Sequence, residues 1–298
     1  MRVFLPFPAE TLAHVPEGFQ IEVVDATEML PASVVDVEFY VPAYRFSERV
    51  VEVIAEMPRL KVVQSLTAGV EHITPHLRPG TTLCNAAGVH DAATSELAIG
   101  LMISAQRRLA ELSIAQRDRY WDLRMTRSLA DQRVLVIGAG HIGRALQRRL
   151  DGFECEVTMV GRSARPGVRS IAELRELLPA ADIVVLIVPL TEETRGMVNR
   201  AFLAQLRDGA LLVNVARGPI VVTDDLMAEV STGRLRAALD VTDPEPLPAE
   251  HPLWSMPEVI ITPHVGGAAE SLWPRAHALV SEQLQRFSDG KPLMNVVS

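Results

Sequence analysis

Cysteine is nearly missing from this chain, with only Cys84 and Cys155 among 298 residues. That excludes a disulfide framework and a thiolate metal cluster, leaves at most one pairing, and makes a reducing cytoplasm the expected home. No metal site is expected. Long apolar runs are missing as well: uncharged, largely apolar stretches such as 97–105 and 183–191 fall well short of the roughly 20 residues that span a bilayer. The opening Met1–Pro8 carries one arginine and two prolines, so it reads as a first strand and its exit turn instead of a signal peptide. Nor is there a segregated basic stripe. The formal charge of −8 arises from acids and bases mixed along the sequence, which argues against nucleic acid or an anionic membrane as partner. No fixed-period repeat and no low-complexity tract stands out.

What the chain does have is length and 48% hydrophobic content, enough for two cores of ordinary size. From Arg133 onward, short and almost continuously apolar runs (134–137, 157–160, 183–188, 211–215, 237–241 and 259–261) alternate with segments of helical spacing at 141–150, 171–177, 199–205 and 223–232. Continuous apolar strands suit the middle of a parallel sheet covered on both faces, so a doubly wound domain is predicted. The first ninety residues repeat the alternation on a smaller scale, with strands expected at 2–5, 34–39 and 62–65. Long helical patterns at 92–117 and 268–287 read as connectors. The expected fold is therefore α/β, with two Rossmann-like doubly wound parallel-sheet domains: 1–96 with 267–298, and 97–266. A cleft between the domains is the expected binding site.

The clearest motif is Val134-Leu-Val-Ile-Gly138-Ala-Gly140-His141-Ile142-Gly143, three glycines between a strand and a helix. Gly138 suits the tight turn, Gly140 lets a pyrophosphate approach, Gly143 lets helix and strand pack, and the free N–H groups where His141 and Ile142 open the helix suit phosphate. About 20 residues later an acid would normally hold the ribose hydroxyls. It is absent. The second strand ends in Gly161-Arg162-Ser163-Ala-Arg165, and two guanidinium groups match a 2′-phosphate, so NADP(H) is the favoured cofactor with NAD(H) as the alternative.

Three polar residues fall at the carboxyl ends of the last three strands: Arg217, Asp240 and His264. With Glu245 in the proline-rich turn 243–248, they suit reduction of a 2-oxo acid, which needs a cation for carboxylate and ketone, a hydride from the nicotinamide and a proton donor. Arg217 and His264 fit cation and proton donor. Glu245, by bonding the other imidazole nitrogen, would fix the tautomer, and Asp240 would orient the nicotinamide.

These motifs, together with Leu66-Thr-Ala-Gly-Val-Glu-His-Ile73, Asn85-Ala-Ala-Gly-Val89, Val188-Pro-Leu-Thr-Glu-Glu-Thr194, Asn214-Val-Ala-Arg-Gly218 and Thr262-Pro-His-Val-Gly266, closely resemble the D-isomer-specific 2-hydroxyacid dehydrogenases. The pattern is most similar to the NADP-preferring glyoxylate/hydroxypyruvate reductases. The resemblance implies Arg217, Glu245 and His264 as catalytic residues, and Ala68 and Gly69 as a backbone grip on the substrate carboxylate alongside Arg217 and His264. It also implies Pro189, Leu190, Thr194, Val215, Ala216, Asp240 and Gly266 along the cofactor path, and a homodimer. An NAD-dependent, phosphoglycerate dehydrogenase-like enzyme and a dinucleotide-sensing interaction protein are the alternatives. The segment Ser271-Leu-Trp273-Pro-Arg275 is a candidate for setting substrate size.

Overall fold

The computed structural model describes residues 1–26, 29–45 and 47–297, which divide into two compact units: Met1–His90 with the stretch from Glu270 onward, and Asp91–Ala269. The α-helices in chain order are α1 (Arg49–Glu52), α2 (Asp91–Arg107), α3 (Leu109–Arg117), α4 (His141–Leu150), α5 (Leu174–Leu177), α6 (Arg200–Leu203), α7 (Thr223–Ser231) and α8 (Leu272–Ser288).

In the first unit, β1 (Arg2–Leu5), β2 (Gln20–Val23), β3 (Val37–Tyr40), β4 (Val62–Gln64) and β5 (Thr82–Cys84) form a parallel sheet in the order β2-β1-β3-β4-β5. Apolar residues of α8, among them Leu272, Ala276, Val280 and Leu284, pack with Val3, Leu5, Phe39 and Val62 on one face. The sequence pattern did not reveal β2 or β5. β2 is a partly exposed edge strand, and β5 has only three residues, too few to express a period. The strand expected over 34–39 begins as a 3-10 turn, Ala32–Asp36, and only then enters β3.

The second unit holds β6 (Arg133–Ile137), β7 (Glu156–Gly161), β8 (Arg169–Ser170), β9 (Ile183–Leu186), β10 (Leu211–Asn214), β11 (Arg236–Leu239) and β12 (Val259–Ile261), all parallel, in the order β12-β11-β10-β9-β6-β7-β8. The chain runs outward from β6 through β7 and β8, then crosses back to β9 and runs outward the other way. The switch point between β6 and β9 is where such sheets place ligands, at the carboxyl ends of the strands. Continuous apolar strands follow from burial on both faces. Leu135, Ile137, Val184, Leu186 and Leu212 enter one cluster, while Val134, Val136, Ile183, Val185, Leu211 and Val213 enter the other, against α2 and α4. Each such side chain contributes about 1.5–3 kcal/mol on burial.

The helical pattern over 92–117 is two helices, because Arg108 adopts a left-handed conformation (φ 55°) between α2 and α3. That conformation costs about 1–2 kcal/mol for a residue with a side chain. Its guanidinium bonds Glu258 at 3.0 Å and Glu111 at 2.9 Å, contacts that offset the cost and aim α3. Cys84 and Cys155 are both free thiols, and burial pushes the Cys84 thiol up to about 11. Among the described residues no helix is long and apolar enough to cross a membrane.

Candidate active site

The glycine turn shows why each glycine is needed. A Cβ on Gly138 would lie 2.1 Å from the Ile187 carbonyl oxygen, and one on Gly143 would lie 1.9 Å from the Gly138 carbonyl, so neither position admits a side chain. Gly138 also has φ 124°, a region that favours glycine. Gly140 differs: a Cβ there would meet no protein atom within 4 Å. The space above it is open, and Gly140, the N-cap of the ten-residue α4, provides no side-chain hydrogen bond to the N–H groups of the first turn. Room for an anion and donors aimed at it coincide, which is what a dinucleotide pyrophosphate requires. His141 stands at the start of this helix, 70% exposed, with Nδ1 3.6 Å from the Asp91 carboxylate.

The two arginines after β7 have separate jobs. Arg165 donates from Nη2 to the Ala139 carbonyl at 2.8 Å and packs over Gly161, which braces the glycine turn. Arg162 is 89% exposed and pairs with Glu193 at 3.2 Å, while Ser163 is exposed. In the loop after β9, the Thr194 hydroxyl donates to the Pro189 carbonyl at 2.7 Å and accepts from the Thr191 N–H at 2.8 Å, and Leu190 packs on the core. Thr194 thus shapes the loop from within.

Carboxyl ends of β10, β11 and β12 carry the other groups. Asn214 ends β10 almost fully buried; its amide donates to the Arg217 carbonyl at 3.0 Å and its oxygen accepts from the Ala216 N–H at 3.0 Å. This fixes the turn that presents Arg217, whose Nη1 donates to the Ala216 carbonyl at 2.7 Å, with Val215 and Ala216 buried beneath. The next residue must be glycine. A Cβ on Gly218 would sit 1.8 Å from the Thr242 carbonyl oxygen, so the Arg217 turn and the loop leading to Glu245 touch backbone to backbone. That loop is tied by the Thr223 hydroxyl to the Asp243 carbonyl and by the Thr242 hydroxyl to the Pro244 carbonyl.

Glu245 Oε1 meets His264 Nδ1 at 2.5 Å, although the two lie 19 residues apart. The imidazole is about a quarter exposed, so Nδ1 is committed to the carboxylate while the ring keeps access to solvent and ligand. His264 has φ 54°, sparsely populated for a residue with a side chain and often found at functional positions. Asp240 holds it there. Its carboxylate, 2% exposed, accepts from the Thr262 hydroxyl at 2.6 Å, the Val265 N–H at 2.9 Å and the Gly266 N–H at 2.8 Å, and its carbonyl accepts from the His264 N–H at 2.7 Å. Asp240, expected to orient the nicotinamide, is thus engaged in shaping the loop that carries the histidine. Thr94 of α2 completes the clamp by donating to the Gly266 carbonyl at 3.0 Å. Sequence reasoning did not single out Thr94, nor read the loop-shaping roles of Asn214 and Thr262 within their motifs, because such amide and hydroxyl hydrogen bonds leave no pattern along the chain.

With this geometry in place, a sequence profile of the D-isomer specific 2-hydroxyacid dehydrogenase NAD binding domain matches residues 99–266. The chain belongs to that family. This family member is 31% identical over 307 residues to a glyoxylate reductase from Thermococcus onnurineus, covering 95% of this chain and 91% of the relative. It is 32% identical to the mouse glyoxylate reductase/hydroxypyruvate reductase, covering 90% and 89%. A crystal structure of an NADPH-dependent glyoxylate/hydroxypyruvate reductase from Sinorhizobium meliloti, in complex with NADP and sulfate, superposes with a TM-score of 0.83 at 28% identity over 100% of this chain and 97% of that one. The dehydrogenase's two parallel-sheet α/β units agree with the fold of these structures.

In the first unit, the loop after β4 holds Ala68 and Gly69, expected to grip the substrate carboxylate. Its carbonyls are turned inward: Leu66 accepts from His90 Nε2 (2.8 Å), Thr67 from the Ala86 N–H (2.9 Å), Ala68 from Asn85 Nδ2 (3.0 Å) and Gly69 from the Thr67 hydroxyl (2.6 Å). Among the described residues no internal acceptor takes the N–H groups of Ala68 and Gly69. Satisfied carbonyls and unclaimed N–H groups leave donors that an anion could take. The segment 271–275 forms the first turn of α8, where Arg275 donates to the Ser271 carbonyl and Trp273 packs 5.9 Å from His277.

Proposed function

We propose that this dehydrogenase uses NADPH to reduce a small 2-oxo acid of the glyoxylate or hydroxypyruvate type to the D-2-hydroxy acid. The single observation carrying the reading is the His264–Glu245 pair, an imidazole held through Nδ1 by a carboxylate beside the end of the parallel sheet. The nicotinamide dinucleotide, when bound, supplies the hydride. Gly138, Gly140, His141, Ile142 and Gly143 hold its pyrophosphate, and Arg162 meets its 2′-phosphate. The Arg217 guanidinium suits the substrate carboxylate, and so, in the first unit, do the N–H groups of Ala68 and Gly69. Arg217 also polarises the ketone, so that negative charge grows on oxygen beside a fixed cation. His264 Nε2 gives its proton to that oxygen as the alkoxide forms, and Glu245 keeps the ring in the orientation and tautomer that allow it.

A homodimer belongs to the same proposal. Trp121, Leu123 and Met125 follow α3 with 91%, 91% and 99% of their surface exposed, an apolar cluster that suits a second copy. Free thiols at both cysteines suit a reducing compartment. The test is steady-state turnover of a panel of 2-oxo acids with NADPH and with NADH. Reduction of glyoxylate or hydroxypyruvate with NADPH preferred is the expected result; binding of dinucleotide without turnover of any 2-oxo acid overturns the proposal.

A further inference from the structure

The acid that usually holds the adenosine ribose is missing from the end of β7, and the arginine that stands there instead meets a carboxylate from another loop. In the sheet, β6 lies between β7 and β9, so the loops leaving β7 and β9 flank the glycine turn on either side. Arg162 stands on the first flank and Glu193 on the second, and their 3.2 Å ion pair links the two. Glu193, although 70% exposed, is bonded at both carboxylate oxygens. Thr191 Oγ1 donates to its Oε2 at 2.7 Å while Arg162 takes its Oε1, and these bonds hold its carboxyl below the usual range, ionised at neutral pH. Arg165 donates to the Ala139 carbonyl and braces the glycine turn, while Arg162 is 89% exposed at the end of β7.

We propose that Glu193 is a specificity-determining residue for the cofactor's 2′ position: it supplies from the β9 loop the ribose-binding carboxylate that β7 lacks, and it contends with a 2′-phosphate for Arg162. The inference rests on the reading of Arg162 as the phosphate partner. With NADH, the carboxylate can accept from the 2′-hydroxyl while still paired to Arg162. With NADPH, the guanidinium must turn from Glu193 to the phosphate, and the two anions then face each other. One ion pair thus serves both cofactors and moderates a preference that an unopposed Arg162 would make steep.

Dissociation constants for NADPH and NADH, read by cofactor fluorescence on the full chain and on Glu193→Gln and Arg162→Ala, test this. Exposed pairs are weak, so each effect is several-fold. Glu193→Gln should tighten NADPH by about 2- to 5-fold and weaken NADH by a similar factor, while Arg162→Ala should weaken NADPH about tenfold or more and leave NADH nearly unchanged. A Glu193→Gln protein whose NADPH-to-NADH affinity ratio stays within about twofold of the parent, or falls, overturns the proposal for Glu193. If instead Arg162→Ala binds NADPH as tightly as the parent, the fault lies in the reading of Arg162. Thr191→Val, which frees the carboxylate without removing it, should move the ratio in the same direction as Glu193→Gln by a smaller factor.

Discussion

Replacing Asp240 by Asn keeps the shape of the side chain and removes its charge. One carboxylate oxygen becomes an NH2 group, which must then face a donor, either the Gly266 N–H or the pair formed by Thr262 and the Val265 N–H. At 2% exposure no water can take over. A hydrogen bond to an ionised group is worth about 1.5–3 kcal/mol, and an opposed pair of donors adds to the loss, so about 2–4 kcal/mol of stability should go. For a unit of this size that corresponds to a fall of about 5–10 °C in unfolding temperature. Activity should fall further than stability suggests. His264 is kept at positive φ by this same loop, and a displacement of about 1 Å at a reacting group can cost on the order of 100-fold, so kcat should drop at least about tenfold at saturating cofactor. Calorimetry and steady-state kinetics on Asp240→Asn give both numbers. An unfolding temperature within about 2 °C of the parent, with only the cofactor affinity altered, would refute the reasoning and return Asp240 to a direct contact with the nicotinamide.

Gly218→Ala places a methyl carbon on the Thr242 carbonyl, so the Glu245 loop must retreat; kcat should fall about tenfold or more while cofactor affinity, measured by fluorescence titration, changes little. Trp121→Ser with Leu123→Ser should convert a dimer to monomer in analytical ultracentrifugation, and an unchanged sedimentation coefficient counts against that face. Burial raises both thiols, that of Cys84 to about 11 where its ordinary value is 9.0. Since the thiolate is the reactive form, iodoacetamide at about pH 8 should label Cys155 first, with Cys84 gaining reactivity only as pH climbs toward about 11. Early labelling of Cys84 in peptide mass spectra contradicts its burial.

The apolar strands of the second unit were legible because burial on both faces forces continuous apolar runs, as in Ile183–Leu186, whereas the two-residue polar edge strand β8 was not; the glycine turn was legible because backbone crowding leaves Gly138 and Gly143 no alternative. Arg217, Asp240 and His264 could be found because each lies within three residues after the carboxyl end of a strand. The rest depends on contacts distant in sequence. Arg108 has nothing local to break a helix, and Glu258, 150 residues away, supplies the reason for the turn there. Thr94 was hidden for the same cause: its partner, the Gly266 carbonyl, is 172 residues distant. Glu193 lay in a motif already noted, but its meeting with Arg162 is a product of strand order, which the sequence does not spell out.

The most direct measurement is kcat for reduction of glyoxylate or hydroxypyruvate by His264→Ala, with NADPH affinity followed in parallel. Loss of a general acid lowers turnover by about 100-fold or more, and NADPH binding should stay unchanged because the glycine turn is untouched. Turnover within about threefold of the parent would contradict the account, since the proton would then come from elsewhere.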